Sequence, residues 1–267
     1  MGGNHHKPRK RPKLKRIIIP LPSYGFDPTE VAIPWKLIVE AGHLPVFATP
    51  QGETAEADSL MLTGDRLGIL KPLLRARLDA VSAYAKLLED PAFQSPIPYS
   101  AIQSSDYDGI LLAGGHDKGV IEYLESAELQ LIVSQFFFDQ KPVGAICHGV
   151  VLAARSLNPD TGASVLRGYK TTALLKQQEL LAYGLTRLWL KDYYLTYPGL
   201  AVQDEVSSVL VCKEDFIEGP APLLRDDMAH LQRGYALRDR HYVSARWPGD
   251  AYSFSLAFMK VLAESAK

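Results

Sequence analysis

The chain alternates between short unbroken apolar runs and longer amphipathic stretches. Arg16-Ile-Ile-Ile-Pro-Leu is such a run. It predicts a strand buried on both faces, because a half-buried strand would alternate apolar with polar. A polar loop, Ser23-Tyr-Gly-Phe-Asp-Pro, comes next. From Thr29 to Ala41 the positions Val31, Ile33, Trp35, Leu37, Ile38 and Val39 recur at helical spacing, and Gly42 ends them. Pro34 lies within the first turns of that helix, where its cost is lowest. Pro45-Val-Phe-Ala-Thr is a second strand. A β-α-β opening of this kind predicts a parallel sheet with right-handed crossovers.

Residues 51–105 break this rhythm. The stretch 67–88 is amphipathic, and Pro72, Pro91, Pro96 and Pro98 punctuate the region. It is expected to be a helical insertion that caps the site. Alternation resumes at Gly109-Ile-Leu-Leu-Ala-Gly-Gly-His, a strand ending in two glycines, followed by a helix over 120–138. A short strand from Pro142 to Ile146 then turns at Cys147 into a helix that begins Val150-Val-Leu-Ala-Ala. Further strands are expected over 165–171, 206–212 and 242–246, and helices over 176–190 and 250–264. The fold class is therefore α/β, a mostly parallel sheet between helical layers, with a nucleophile elbow and a helical cap insertion. Residues 16–267 form the α/β domain, and residues 1–15 a tail.

Composition narrows the function classes. Of 267 residues, 47% are hydrophobic and 22% charged, and the net charge is −1, so no global electrostatic attraction draws the chain to nucleic acid or membrane. No apolar run approaches the roughly 18–20 residues that a membrane span needs. Only the tail is strongly basic: Lys7, Arg9, Lys10, Arg11, Lys13, Lys15 and Arg16 stand there without an acid. It is expected to be disordered and solvated, and it is the one segment with any potential for RNA or another anionic surface. It leads into a strand-length apolar run, which is not the pattern of a signal peptide. Two cysteines, Cys147 and Cys212, make no disulfide framework, so the expected location is the cytoplasm. Neither a metal-ligand spacing nor a phosphate loop is present, and Gly114-Gly115 lacks the flanking residues of one.

The chemistry concentrates at Cys147. A nucleophile between a strand and a helix is pushed out of the backbone, and the small Ala145 and Gly149 at −2 and +2 suit so tight a turn. Otherwise a free cysteine simply fills a core. At a helix start, unpaired N–H groups favour the thiolate, so a lowered thiol pKa is expected. In an open parallel sheet, ligands bind beyond the carboxyl ends of the strands. That rule brings the 23–30 loop, Gly114-Gly-His-Asp117, Cys147-His148 and the segment after 169 to one rim. Glu30 can lean toward the thiol as a protonated carboxyl, or serve only the positive end of its own helix. His148 is the candidate base, and the backbone N–H groups of Gly115 and His148 are the candidate oxyanion donors.

Ala-Ile-Cys-His-Gly after a strand, Ala-Gly-Gly-His at the end of the previous strand, and Pro-Thr-Glu-Val-Ala-Ile-Pro-Trp at the first helix together resemble the DJ-1/PfpI superfamily. Phe47-Ala-Thr-Pro-Gln-Gly and Ala57-Asp58, ahead of an insertion, are similar to its larger branch, which includes chaperone-like glyoxalases. The resemblance covers residues 16–155 clearly and the remainder loosely. It implies a flavodoxin-like three-layer sandwich of the class I glutamine-amidotransferase type, commonly homodimeric. It further implies Cys147 as nucleophile, Glu30 as its carboxyl partner and His148 as proton carrier, with no cofactor and no metal. The family often orients its histidine with a carboxylate. Here Asp117, Glu179 and Asp192 are the candidates, and the sequence does not choose among them.

The expected activity is a cofactor-independent glyoxalase, turning methylglyoxal into lactate, or a related hydrolase acting on small carbonyl compounds. The alternative is a stress protein, a redox sensor or holdase, using an oxidisable Cys147. Glutamine amidotransfer fits least, because no synthetase domain and no clear Cys…His-x-Glu triad is visible.

Overall fold

A computed structural model of the chain describes residues 14–265. Most of the basic tail expected over 1–15 lies outside the described residues. Its end does not: Lys15 is buried, with Nζ 3.0 Å from Asp108 Oδ1, so the domain already begins there.

The first half carries five strands of the main sheet, and a separate two-stranded pair, Tyr24–Phe26 with Glu56–Ala57. Strand β1 is Arg16–Pro20, helix α1 Pro28–Glu40, β2 Leu44–Thr49, α2 Leu78–Leu87, β3 Ile97–Pro98, β4 Gly109–Leu112 and β5 Val143–Ile146. Helix α3, Ala127–Phe138, precedes β5, and α4, Gly149–Arg155, leaves it. The second half holds α5 Lys176–Leu190, α6 Val202–Ser208, β6 Ala236–Asp239, β7 Tyr242–Ala245 and α7 Ala251–Glu264. These strands form one sheet in the order β3-β2-β1-β4-β5-β7-β6, parallel except for the last pair. Ile17, Ile18 and Ile19 are all fully buried, as a central strand covered on both faces requires. Helices α1, α2 and α7 pack together on one face, and α3, α4 and α6 group around the other. The result is the expected three-layer α/β sandwich.

Several elements differ from expectation. The 67–88 helix is broken, because Gly68 takes a positive φ of 52° and the extended Arg75 and Arg77 separate a single turn at Lys71–Leu74 from α2. The insertion is also not all cap. Helix α2 packs on α1, and β3 extends the sheet beside β2. Only its first part reaches the cap, where Met61 and Leu67 form a small apolar cluster with Leu190 and Tyr194. The strand expected over 165–171 is only an isolated bridge, Thr171 to Phe216. That expected over 206–212 is instead the end of α6, whose Val202 and Val206 are buried four residues apart on one helix face. The helix expected over 120–138 is split between Ile121–Leu124 and α3.

Candidate functional site

The site lies beyond the carboxyl ends of β1, β4 and β5. Cys147 follows β5 with φ +56°, a left-handed conformation rare for a residue with a side chain, and its N–H is tied to Ala245 O at 3.1 Å. Gly149 makes the turn possible: a Cβ there would stand 2.2 Å from Leu112 O.

Glu30 is brought in by the cap of α1. Asp27 Oδ1 accepts from Thr29 N at 2.7 Å and Glu30 N at 3.1 Å, and Pro28 opens the helix. The Asp27 N–H in turn donates to Gly114 O at 2.8 Å, fastening the helix start to the end of β4. Glu30 is fully buried; Oε2 accepts from Gly114 N at 2.8 Å, Oε1 is left without a hydrogen-bond partner, and the carboxyl lies close enough to the Cys147 thiol for their charges to interact. Gly114 is the meeting point. A Cβ on it would lie 2.6 Å from His148 N, 3.0 Å from Glu30 Oε2 and 3.1 Å from Cys147 Cβ.

His148 is buried beside the thiol, with Nδ1 3.4 Å from Cys147 Sγ. Its Nε2 lies 3.0 Å from Thr196 Oγ1, and that hydroxyl donates to His116 O at 3.2 Å. With its only proton committed to the carbonyl, the hydroxyl must accept from Nε2–H, which leaves the Nδ1 lone pair facing the thiol. His148 also stacks edge-on against His116, with ring centroids 5.2 Å apart.

Burial biases Glu30, His148 and Cys147 alike toward their uncharged forms. Burial raises the Glu30 carboxyl well above its ordinary range, and the nearby Asp27 carboxyl adds to the effect. Burial also lowers His148, assisted by His116 and Arg155. The thiol is raised as well, by burial first and then by the Glu30 and Asp27 carboxyls. This corrects the lowered thiol pKa expected from the helix start. The backbone N–H of His148 favours the thiolate, but Cys147 is only 1% exposed and the helix contribution does not offset its lost hydration.

The structure thus brings Cys147, His148 and Glu30 together. It does not bring the three candidate carboxylates to His148. Asp117 Oδ1 accepts from Gly119 N at 2.8 Å. Glu179 is buried elsewhere, accepting from Val202 N at 3.1 Å, and its pKa is pushed up to about 7 by burial. Asp192 is exposed and pairs with Lys118 Nζ at 3.3 Å. Thr196 occupies the place expected of a carboxylate, and nothing in Tyr-Leu-Thr-Tyr marks it. Gly115 lies against the loop before α1, where its Cβ would stand 2.4 Å from Gly25 O. Among the described residues, no group of three or more His, Cys, Asp or Glu is placed to hold a metal ion, and no helix is long and apolar enough to cross a membrane.

Comparison with known proteins bears on the fold and the family. An uncharacterized protein of Schizosaccharomyces pombe is 29% identical over 130 residues, which are 48% of this chain and 47% of that one. The chain therefore spans about half the length of that relative. Among solved structures, glyoxalase III from Candida albicans superposes with a TM-score of 0.68 at 19% identity, covering 92% of this chain and 97% of that one. The Rapid Encystment Protein of Francisella tularensis gives 0.66 at 17% identity, covering 93% and 99%. Drosophila melanogaster DJ-1beta gives 0.52 at 13%, covering 95% and 96%. At these identities the likeness is one of fold. The family model described as "ThiJ/PfpI family-like" matches residues 21–210, most of the chain and all of the Glu30, Gly114, Cys147, His148 and Thr196 cluster, so the chain belongs to the DJ-1/PfpI family.

Proposed function

We propose that this protein is a cysteine-dependent enzyme of small carbonyl compounds, a glyoxalase that hydrates a 2-oxoaldehyde to a 2-hydroxy acid without a cofactor. The observation that carries the reading is the placement of one nucleophile between a base and an acid: Sγ is 3.4 Å from His148 Nδ1, and Glu30 Oε2 and Cys147 Cβ meet over Gly114, 3.0 and 3.1 Å from where its Cβ would be.

With methylglyoxal, His148 takes the thiol proton as sulfur adds to the aldehyde carbon, and the resulting alkoxide takes up that proton to give a hemithioacetal. The His148 N–H, together with the N–H of Gly115, holds the oxygen while it is charged. A base then removes the hydrogen on that carbon, and protonation of the ketone oxygen gives an enediol. Return of a proton to the former ketone carbon yields a lactoyl thioester. One water hydrolyses the thioester, releasing lactate and restoring the thiol. Methylglyoxal plus water thus equals lactic acid, with no net oxidation. Glu30 and His148, both biased by burial toward the uncharged form, suit these proton transfers because neither is locked in its ionised form.

An oxidation-sensing thiol has less support, since sensor cysteines are exposed and acidic whereas this one is buried and raised. The test is methylglyoxal consumption and lactate formation by the purified protein and its Cys147→Ser variant. Turnover that persists in the variant, or none in the parent, would remove the glyoxalase reading.

A further inference from the structure

On the far side of His116 from His148 lies a cavity of ≈ 170 Å³ with two unlike walls. One wall is apolar: Leu73, Leu74, Leu181, Leu185 and Leu223, contributed by the insertion, by α5 and by the 216–226 loop. Leu73, Leu181, Leu185 and Leu223 are also exposed, so they form its mouth. The other wall is polar: Asp27, which faces the Arg225 guanidinium, Gln178 and Glu179, and a row that runs from Arg225 and Trp247 toward His116. The Arg225 guanidinium stands over the Trp247 ring at 5.5 Å and lies close enough to Tyr194 for their charges to interact. The Tyr194 ring meets His116 at 5.1 Å, and His116 meets His148 at 5.2 Å. His116 lines the cavity and is therefore the partition between it and the thiol.

That polar row is built but unsatisfied. Trp247 Nε1, Tyr194 Oη and His116 Nδ1 are buried without a hydrogen-bond partner, as is Gln178 Oε1 on the facing helix, and all four residues line this one cavity. A buried orphan of this type costs about 1–3 kcal/mol, so four in one place are expected of a site whose partner is a ligand. Trp247 can only donate, and Arg225 can only donate, so the ligand offers oxygen acceptors at that end. Size is set by the leucines: a cavity of about 150 Å³ lined with apolar side chains holds a benzene ring. Methylglyoxal, with a single methyl group, would leave most of this wall uncovered.

We propose that this cavity binds 2-oxoaldehydes and their 2-hydroxy acid products with a branched alkyl or phenyl substituent, the substituent on the leucine wall and the oxygens along the row from Trp247 to His116. The inference deepens the glyoxalase reading and rests on it for the reaction, while the binding it claims is separable. The 2-oxygen faces Trp247 and Arg225, and the aldehyde carbon, which takes up sulfur and becomes the product carboxylate, lies at the His116 end of the row, the end nearest the thiol.

The experiment measures binding in Cys147→Ala, where no turnover interferes. Benzoylformate, a phenyl 2-oxo acid, is expected to bind at least tenfold more tightly than pyruvate. Adding Leu185→Trp, which narrows the mouth, is expected to erase that preference; Trp247→Phe, which keeps the ring and removes the donor, is expected to weaken benzoylformate about tenfold. Equal affinity for the two acids in Cys147→Ala overturns the proposal, and that comparison needs no further variant to fold. A benzoylformate preference in a protein that turns over neither phenylglyoxal nor methylglyoxal would keep the cavity assignment and discard the glyoxalase reading. Turnover of methylglyoxal with no preference for benzoylformate would do the reverse.

Discussion

Thr196 Oγ1 stands 3.0 Å from His148 Nε2 and 3.2 Å from the carbonyl oxygen of His116, and this pair of contacts decides which imidazole nitrogen carries the proton. A carboxylate in that place would also hold Nε2–H, but it would favour the imidazolium. A hydroxyl orients the ring without stabilising its charge, so His148 stays neutral until the thiol gives up its proton.

Thr196 is thus a positioning residue. Thr196→Val removes the acceptor at nearly constant volume and should lower kcat for methylglyoxal about tenfold, the worth of one hydrogen bond, with little change in melting temperature. Thr196→Ser should restore the rate. Failure of Ser to rescue would mean that the loss comes from packing and not from the hydroxyl. Asp117→Asn and Asp192→Asn should leave turnover near the parent value, since neither side chain reaches His148.

Glu30→Gln tests the carboxyl as a proton carrier. The amide fits the same buried space, yet it cannot pass a proton between carbons. Turnover should fall about 10²–10⁴-fold, the usual range for general acid–base help. An unchanged rate would leave Glu30 as a residue of the helix start only.

Thiol labelling separates the two cysteines. Cys212 is exposed and Cys147 buried, so brief iodoacetamide treatment of the folded protein should modify Cys212 first, reversing the order that a strand position for Cys212 implies. The Cys147 rate should keep rising with pH above the ordinary thiol value of about 8.5. Faster labelling of Cys147 at neutral pH would contradict the bias of this thiol toward its uncharged form.

Glu179 supplies a pH signature of stability. Its folded pKa is about 7 against 4.5 in the unfolded chain. A group raised in this way favours the fold fully below the unfolded value and loses that contribution as pH rises through the folded one. Glu179→Gln should therefore gain on the parent between pH 4.5 and about 7, by an amount on the order of 3 kcal/mol. Denaturant melts of both proteins at pH 5 and pH 8 would measure it, and a constant difference would show that Glu179 does not titrate in this window.

The parts of the site legible in the sequence are those fixed by local signals. Asp27-Pro28 announces a helix start, and Glu30 follows from it. The strand-to-helix turn with small flanking residues announces Cys147 and, next to it, His148. Thr196, Tyr194, Arg225 and Trp247 carry no such signal, because they sit on loops whose positions are set by packing against α5 and the sheet. The same limit explains the raised thiol: a helix start can be read from sequence, but the depth of burial that overrides it cannot. Residues 206–212 misled for a related reason. Val206, Val209, Leu210 and Val211 have strand-like composition, yet the place beside β5 is taken by β7, and α6 buries Val202 and Val206 as one helical stripe.

The two rims of the sheet are closed to growth. At one, β3 has two residues, Ile97 and Pro98, and Pro98 has no N–H to offer a further strand. At the other, β6 carries Arg238, bonded to Glu264 at 2.6 Å, and its end at Asp239 accepts from the backbone N–H of Lys170 at 2.8 Å. Neither margin therefore offers an open ladder to the strand of another chain. The apolar Ile17, Ile18 and Ile19 of β1 stay sealed in the interior for as long as these short, charged and proline-bearing margins hold.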